Sequence, residues 1–229
     1  MSLFEEHKAE RRARIISAAR ELVTKHGYEG LTMRDLAAAA RVSVPTLYNL
    51  FGSKDSILVA ELERTAVVIA SRIQQQGSFF ARGMAGFEAG MDAIEEQPAF
   101  FRAVMRMFLT SPETGEMRRK SEQGFIAIMA GNLRAAKQAG QLVEWAEPEV
   151  VARHMHGLYI SCFLAWGMGE LDLPSFRDAA LSGICHLLVG VTRGAFNADA
   201  LARLKKLYRD SPLHKPEEVR HAAKSRAHD

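Results

Sequence analysis

The chain has 229 residues, 48% of them hydrophobic, and a net charge of +3. That length allows one large domain or a small one joined to a larger one, with a core of ordinary size. Two cysteines, Cys162 and Cys185, stand in apolar runs without C-x-x-C spacing, which argues against a disulfide framework or zinc site and suits a reducing cytosol. The first residues, MSLFEEHKAERRAR, put charges where a signal peptide needs an apolar core. The longest apolar run, from Gly157 to Gly169, is too short to span a bilayer as a helix. A soluble, cytoplasmic protein without membrane contact is expected.

Taken in chain order, apolar periodicity and Gly or Pro breaks predict helices over 8–26, 33–40, 44–51, 54–76, 80–96, 98–109, 114–139, 147–169, 174–195 and 198–209. Pro98, Pro112, Pro148, Pro174 and Pro212 stand near the ends of these segments, where proline is tolerated. The fold class is therefore all-α. The stretch from 31 to 58 carries the most information. Thr32 and Asp35 form a T-x-x-D capping box that starts a helix at Met33, whose buried face is Met33, Leu36, Ala37 and Ala40. Arg41, Val42 and Ser43 break the chain, and Ser43 is a suitable N-cap for the next helix, with Pro45 in its first turn. Leu47, Leu50 and Phe51 anchor that helix on the first, which leaves Val44, Pro45, Thr46, Tyr48 and Asn49 facing outward. Gly52 ends it and Ser53 caps a third helix. A short helix with an apolar inner face and a small, polar and aromatic outer face suits the major groove of DNA.

Charge is unevenly spread. Residues 1–54 hold nine Lys and Arg against six Asp and Glu, residues 55–196 hold 13 against 16, and residues 197–229 hold eight against five. A basic head on an acidic body is a nucleic-acid footprint, though a weak one by itself. The basic end, with His214, His221 and His228, reads as a solvated tail.

The segment resembles the DNA-binding domain of the TetR family of bacterial transcriptional regulators. The resemblance runs from Ile15–Val23 through Gly27-Tyr28, Leu31-Thr32, Leu36-Ala37, Ala40, Val42-Ser43, Thr46-Leu47-Tyr48 and Phe51 to Ser53-Lys54. One position departs: the family usually has Gly where this chain has Arg41, so Arg41 must take up the turn without glycine's freedom. The resemblance implies a three-helix DNA-binding domain over 1–53, a larger helical effector-binding and dimerisation domain over 54–210, and the basic tail over 211–229. It also implies that Tyr48 and Lys54 hold phosphates, assisted by Thr32 and Ser43 at helix N-termini. Val44, Pro45, Thr46 and Asn49 then face base edges, and Arg34 reaches a base or a phosphate.

In the body, Gly157, Ser161, Ala165 and Gly169 recur every fourth residue, and Ala179 with Gly183 and Gly190 with Gly194 repeat the pattern. Such stripes let helices approach closely, either within one chain or between two. TetR-like proteins dimerise through their last two long helices, so the resemblance selects a homodimer. A supply of Met and aromatic side chains suits a hydrophobic small-molecule effector, with Met105, Phe108, Phe125, Met129, His156 and Trp166 as candidate contacts. At helical spacing the same residues also suit a plain core. His154 and His156 point about 200° apart around a helix, so no metal site is expected of them. Cys185 and His186 diverge by about 100° and make a poor catalytic pair. No cofactor motif and no enzyme signature is present. The expected function is a repressor released from a near-palindromic operator by a small molecule. Two alternatives stay open at this level: a DNA-binding protein without an effector, and a helical ligand carrier or enzyme that bears a helix-turn-helix.

Overall fold

The computed structural model describes residues 3–73, 77–111 and 114–211. Ten helices stand among these residues: α1 (Leu3–His26), α2 (Met33–Ala40), α3 (Val44–Phe51), α4 (Lys54–Ile73), α5 (Phe79–Glu96), α6 (Pro98–Thr110), α7 (Gly115–Gln138), α8 (Pro148–Gly167), α9 (Leu173–Val191) and α10 (Gly194–Asp210). The all-α expectation holds. The prolines do what their fixed φ allows, since Pro45, Pro98, Pro148 and Pro174 all occupy the first or second position of a helix. Pro112, Pro212 and the tail residues 212–229 lie outside the described residues.

The chain divides into two compact units. The first comprises Met1–Ser71 and Ala89–Ser121, so the unit that holds the helix-turn-helix extends well past residue 53. Ile15, Leu31, Leu36, Leu47, Ile57 and Leu58 are fully buried in it. Its polar ties are equally specific. The Tyr28 hydroxyl donates to Asp55 Oδ1 at 2.9 Å and lies 2.8 Å from Ser111 Oγ, joining the α1–α2 turn to the start of α4 and the end of α6. Burial pushes the Tyr28 phenol above its ordinary value, and Asp55 adds to the rise. Glu61, nearly fully buried, is held by Arg64 in a two-bond fork and by Arg20 at 3.4 Å from α1. A carboxylate so far from water persists because it is paired and hydrogen-bonded.

The second unit comprises Arg72–Glu88 and Glu122–Asp229. Its core joins Leu133 of α7, Ala152 and Met155 of α8, Ile184 and Leu188 of α9, and Phe196 and Ala200 of α10. A second cluster packs Tyr159, Phe163 and Trp166 of α8 against Phe176 of α9, with ring centroids 5.5–6.1 Å apart. Edge and offset contacts at such distances add to area burial.

Several expectations need correction. Helix α9 ends at Val191 and α10 begins at Gly194, where spacing predicts a break between 195 and 198. The break is fixed from outside: Val191 O accepts from Val143 N–H, Arg193 N–H donates to Gln141 O, and Gln141 Oε1 accepts from Phe196 N–H in the first turn of α10. Gly169 is no part of the α8 stripe, because α8 stops at Gly167 and Gly169 turns the chain at φ +82°. Gly194, expected to continue a stripe from Gly190, instead starts α10 at φ +59°. Met33 is half-buried rather than buried, since it stands in the first turn of α2.

Candidate nucleic-acid interface

Local capping chemistry builds the helix-turn-helix. Thr32 Oγ1 accepts from Asp35 N–H at 3.1 Å and donates to Asp35 Oδ2 at 2.6 Å, which starts α2. Leu36, Ala37 and Ala40 form its buried face. The helix then closes at Arg41, with φ 53° and ψ 51°, and Val42 N–H reaches back to Ala37 O at 3.0 Å. That is a Schellman end with arginine in the place glycine favours. Arg41 is the one non-glycine residue with positive φ among the described residues. A left-handed L-residue costs about 1–2 kcal/mol, so the surrounding turn must impose it.

Ser43 Oγ accepts from Thr46 N–H at 3.2 Å and lies 2.7 Å from Thr46 Oγ1, which opens α3. Leu47 is 0% exposed and pins the inner face, while Gly52 at φ +79° ends the helix and Ser53 caps α4 through Ser56 N–H at 3.1 Å. The outer face carries Pro45, Tyr48 and Asn49, all exposed, with Tyr48 at 53%. Arg34 of α2 and Arg41 are exposed as well. Val44 and Thr46 are half-buried.

The expected DNA contacts therefore separate by what their polar groups already do. Thr32, Ser43 and Thr46 spend their hydroxyls on the two N-caps. Lys54 sits over the Tyr28 ring, 4.2 Å from its centroid, and donates to Tyr28 O and Leu31 O at 3.3 Å each. An ammonium has three N–H groups, so one is left for a phosphate. Arg34, Pro45, Tyr48 and Asn49 keep their outward groups exposed to whatever docks there.

Two arginines that periodicity does not single out complete the motif. Arg12 Nη1 donates to Leu50 O at 2.7 Å and its guanidinium stacks on Phe51, 4.1 Å from the ring centroid. Arg14 Nε donates to Ala40 O at 2.9 Å. Helix α1 thus supplies a cation to the carboxyl end of each helix of the motif, where the dipole and the unsatisfied carbonyls favour it. The Arg-x-Arg spacing in RRAR was the available signal, but nothing local ties it to residues 40 and 50.

The candidate effector contacts are distributed over both units. Met105 and Phe108 of α6 belong to the first; Phe125 and Met129 of α7, and His156 and Trp166 of α8, belong to the second. Trp166, 2% exposed, lies in the aromatic cluster, and Met129 packs on the core. His156 is half-buried, its pKa lowered by desolvation against the opposing pull of Glu122, whereas His154 is exposed. Asn132 donates from Nδ2 to Phe79 O at 2.8 Å, while its Oδ1 is buried without a hydrogen-bond partner. Burial pushes the Tyr159 phenol above its ordinary value. Cys185 is fully buried, its thiol pushed up to about 11, and neighbouring His186 is exposed and bonded to Ser182 O and Tyr208. The pair does not converge. No group of three metal-ligating side chains occurs among the described residues, and no described helix is long and apolar enough to cross a membrane.

Comparison with known proteins bears on the same segment. Residues 15–60 match the family model described as bacterial regulatory proteins, tetR family. The HTH-type transcriptional repressor KstR of Rhodococcus jostii is 48% identical over 63 residues, covering 28% of this chain and 30% of that protein. KstR of Mycolicibacterium smegmatis is 29% identical over 169 residues, covering 70% and 78%. Among solved structures, SmeT, the repressor of the Stenotrophomonas maltophilia multidrug efflux pump SmeDEF, superposes with a TM-score of 0.64 at 23% identity, over 81% of this chain and 92% of its own. A TetR-family regulator from Syntrophomonas wolfei reaches 0.69 at 20% identity, over 80% and 96%.

Proposed function

Because this chain belongs to the TetR family and is a DNA-binding transcriptional regulator, we propose that it is a homodimeric, cytoplasmic repressor without catalytic activity, released from its operator by a small molecule. The observation that carries this reading is the outer face of α3: Pro45, Tyr48 and Asn49 stand exposed on a helix whose opposite face is locked by Leu47. Asn49 suits the paired donor and acceptor of adenine, and Pro45 and the Val44 methyls suit a thymine methyl. Tyr48 and Arg34, with the last N–H of Lys54, hold phosphates.

The dimer forms through α8 and α9. A two-fold axis places two copies of α3 about 34–36 Å apart, one turn of DNA, on a near-palindromic site. The effector binds in the second unit, where the unpartnered Asn132 Oδ1, the half-buried His156 and the buried phenol of Tyr159 give an apolar interior a few polar anchors. SmeT has been solved in complex with triclosan, an example of such a ligand on this fold. Helix α4 contributes residues to both units, so an effector that displaces it changes the pose of α3. The ligand weakens DNA binding by its differential affinity for the two poses.

The test is selection of bound duplexes from a random or genomic library at fixed salt, followed by sequencing. The expected product is one near-palindrome. Recovery of unrelated, salt-sensitive fragments from protein shown to be free of bound molecules contradicts sequence reading.

A further inference from the structure

We propose that the first compact unit carries a second small-molecule site, a cleft at the carboxyl end of α3 that takes a small amphipathic carboxylate. The cleft has a volume of about 250 Å³ and lies wholly within that unit. Its apolar wall is Leu50 and Phe51 of α3, Val59 and Ala60 of α4, and Met117 of α7. Pockets for drug-sized ligands hold roughly 300–1,000 Å³, so this one takes something smaller.

The polar side of the cleft selects an anion. Arg12 is half-buried on its rim, and of the five N–H groups of its guanidinium one donates to Leu50 O. A planar fork with donors to spare, set beside apolar surface, matches a carboxylate in two-bond geometry. Lys120 adds a second cation. Among the described residues it pairs with Glu63 at 3.9 Å, and the two side chains are 80% and 56% exposed, so the pair is weak and yields readily. Two cations against one carboxylate leave the rim net positive.

Occupancy has a direct consequence for DNA reading. A carboxylate that draws the Arg12 fork into the cleft pulls the guanidinium away from Leu50 O and the Phe51 ring. Those contacts hold the last turn of α3, which begins at Tyr48 and Asn49. The ligand acts on the reading helix itself, with no step through the second unit. Only this consequence rests on the DNA-reading role; occupancy is independent of it.

The probe is octanoate, titrated into the full isotope-labelled chain and followed by NMR, with octylamine as the charge-reversed control. Saturable shifts at Leu50, Phe51, Val59 and Met117 are expected from octanoate and not from octylamine. Arg12→Gln weakens the apparent affinity about tenfold, the loss of one charge-assisted pair. Ala60→Phe fills the cleft and removes the shifts; should that variant misfold, Lys120→Gln, on the exposed rim, lowers the affinity with the spectrum otherwise intact. Shifts confined to residues 122–211, shifts that do not saturate, or an equal response to octylamine overturn the proposal. On a selected duplex, octanoate releases the wild-type protein and not Ala60→Phe; failing that variant, Lys120→Gln needs more octanoate for the same release. Failure to bind any duplex specifically contradicts the DNA-reading role and leaves the occupancy result standing.

Discussion

The helix pair α2–α3 and the helix pair α8–α9 are both sealed on one side, yet they present opposite surfaces on the other. In α3 the outward positions carry hydrogen-bonding and aromatic groups, Tyr48 and Asn49, over a floor made by Leu47. In α8 and α9 the outward positions include a run of small residues, Gly157 and Ser161 on one and Gly190 on the other, beside larger exposed groups such as His154 and Leu158, while Met155, Ile184 and Leu188 lie in the core. A Cβ added at Gly157 or Gly190 meets nothing within 4 Å, whereas one at Gly183 stands 3.3 Å from Leu158 Cδ1. Gly183 is therefore explained by packing within the chain, and the two outer glycines are not. Protruding polar groups suit the edges of bases; small residues in open positions suit another helix at close range.

The largest expected effect comes from filling the small-residue run. Gly157→Arg points a charge into the proposed dimer interface, where an unpaired buried charge costs about 3–5 kcal/mol, and self-association falls at least about 100-fold by sedimentation. A Cβ at this position meets nothing within the chain, so the monomer keeps its helical content by circular dichroism. A dimer that persists in Gly157→Arg places the interface elsewhere. Next is the floor of α3: Leu47→Ala removes about 2–5 kcal/mol in denaturant unfolding, because the site is fully closed. Asn49→Ala lowers discrimination at one base pair by about 1–3 kcal/mol and leaves the salt slope unchanged. An unaltered sequence preference removes Asn49 from the readout.

Two smaller effects sharpen the picture of each unit. Arg41→Gly relieves the left-handed strain at φ 53°, partly offset by glycine's entropy, for a net gain of about 0.5–1 kcal/mol in unfolding experiments. In the second unit, desolvation holds the His156 pKa below its ordinary value. The unfolded chain then takes up a proton first as pH falls, so this residue's contribution is intact above about pH 6.5 and is lost progressively below it. His156→Gln flattens that part of the stability profile; an unchanged profile shows that the proton goes elsewhere.

The head was legible because its boundaries are written in neighbouring residues. Thr32 caps through Asp35, Ser43 through Thr46 and Ser53 through Ser56, while Gly52 closes α3 on Tyr48 O; each is a local rule, and the structure forms each of those bonds. The end of α9 was not legible, since Gln141, about fifty residues upstream, sets it through Arg193 and Phe196. Arg12 and Arg14 escaped for the same reason: their acceptors, Leu50 O and Ala40 O, are remote in sequence. The candidate effector contacts illustrate a different limit. Trp166 and Met129 have the spacing of core residues and pack as such, and periodicity carries no mark that separates a core side chain from a pocket wall.

The central claim is that two copies of α3 read one site at a spacing fixed by the dimer. It is tested by measuring affinity for the selected duplex before and after five base pairs are inserted between its half-sites. Half a turn of added twist puts the second half-site on the opposite face of the helix, given about 10–10.5 base pairs per turn. Affinity is predicted to collapse to that of a single half-site and to stay there when ten are inserted, because ten restore the face of the helix but add a second turn, about 34–36 Å, to the span the dimer must bridge. Equal binding at every spacing contradicts the account.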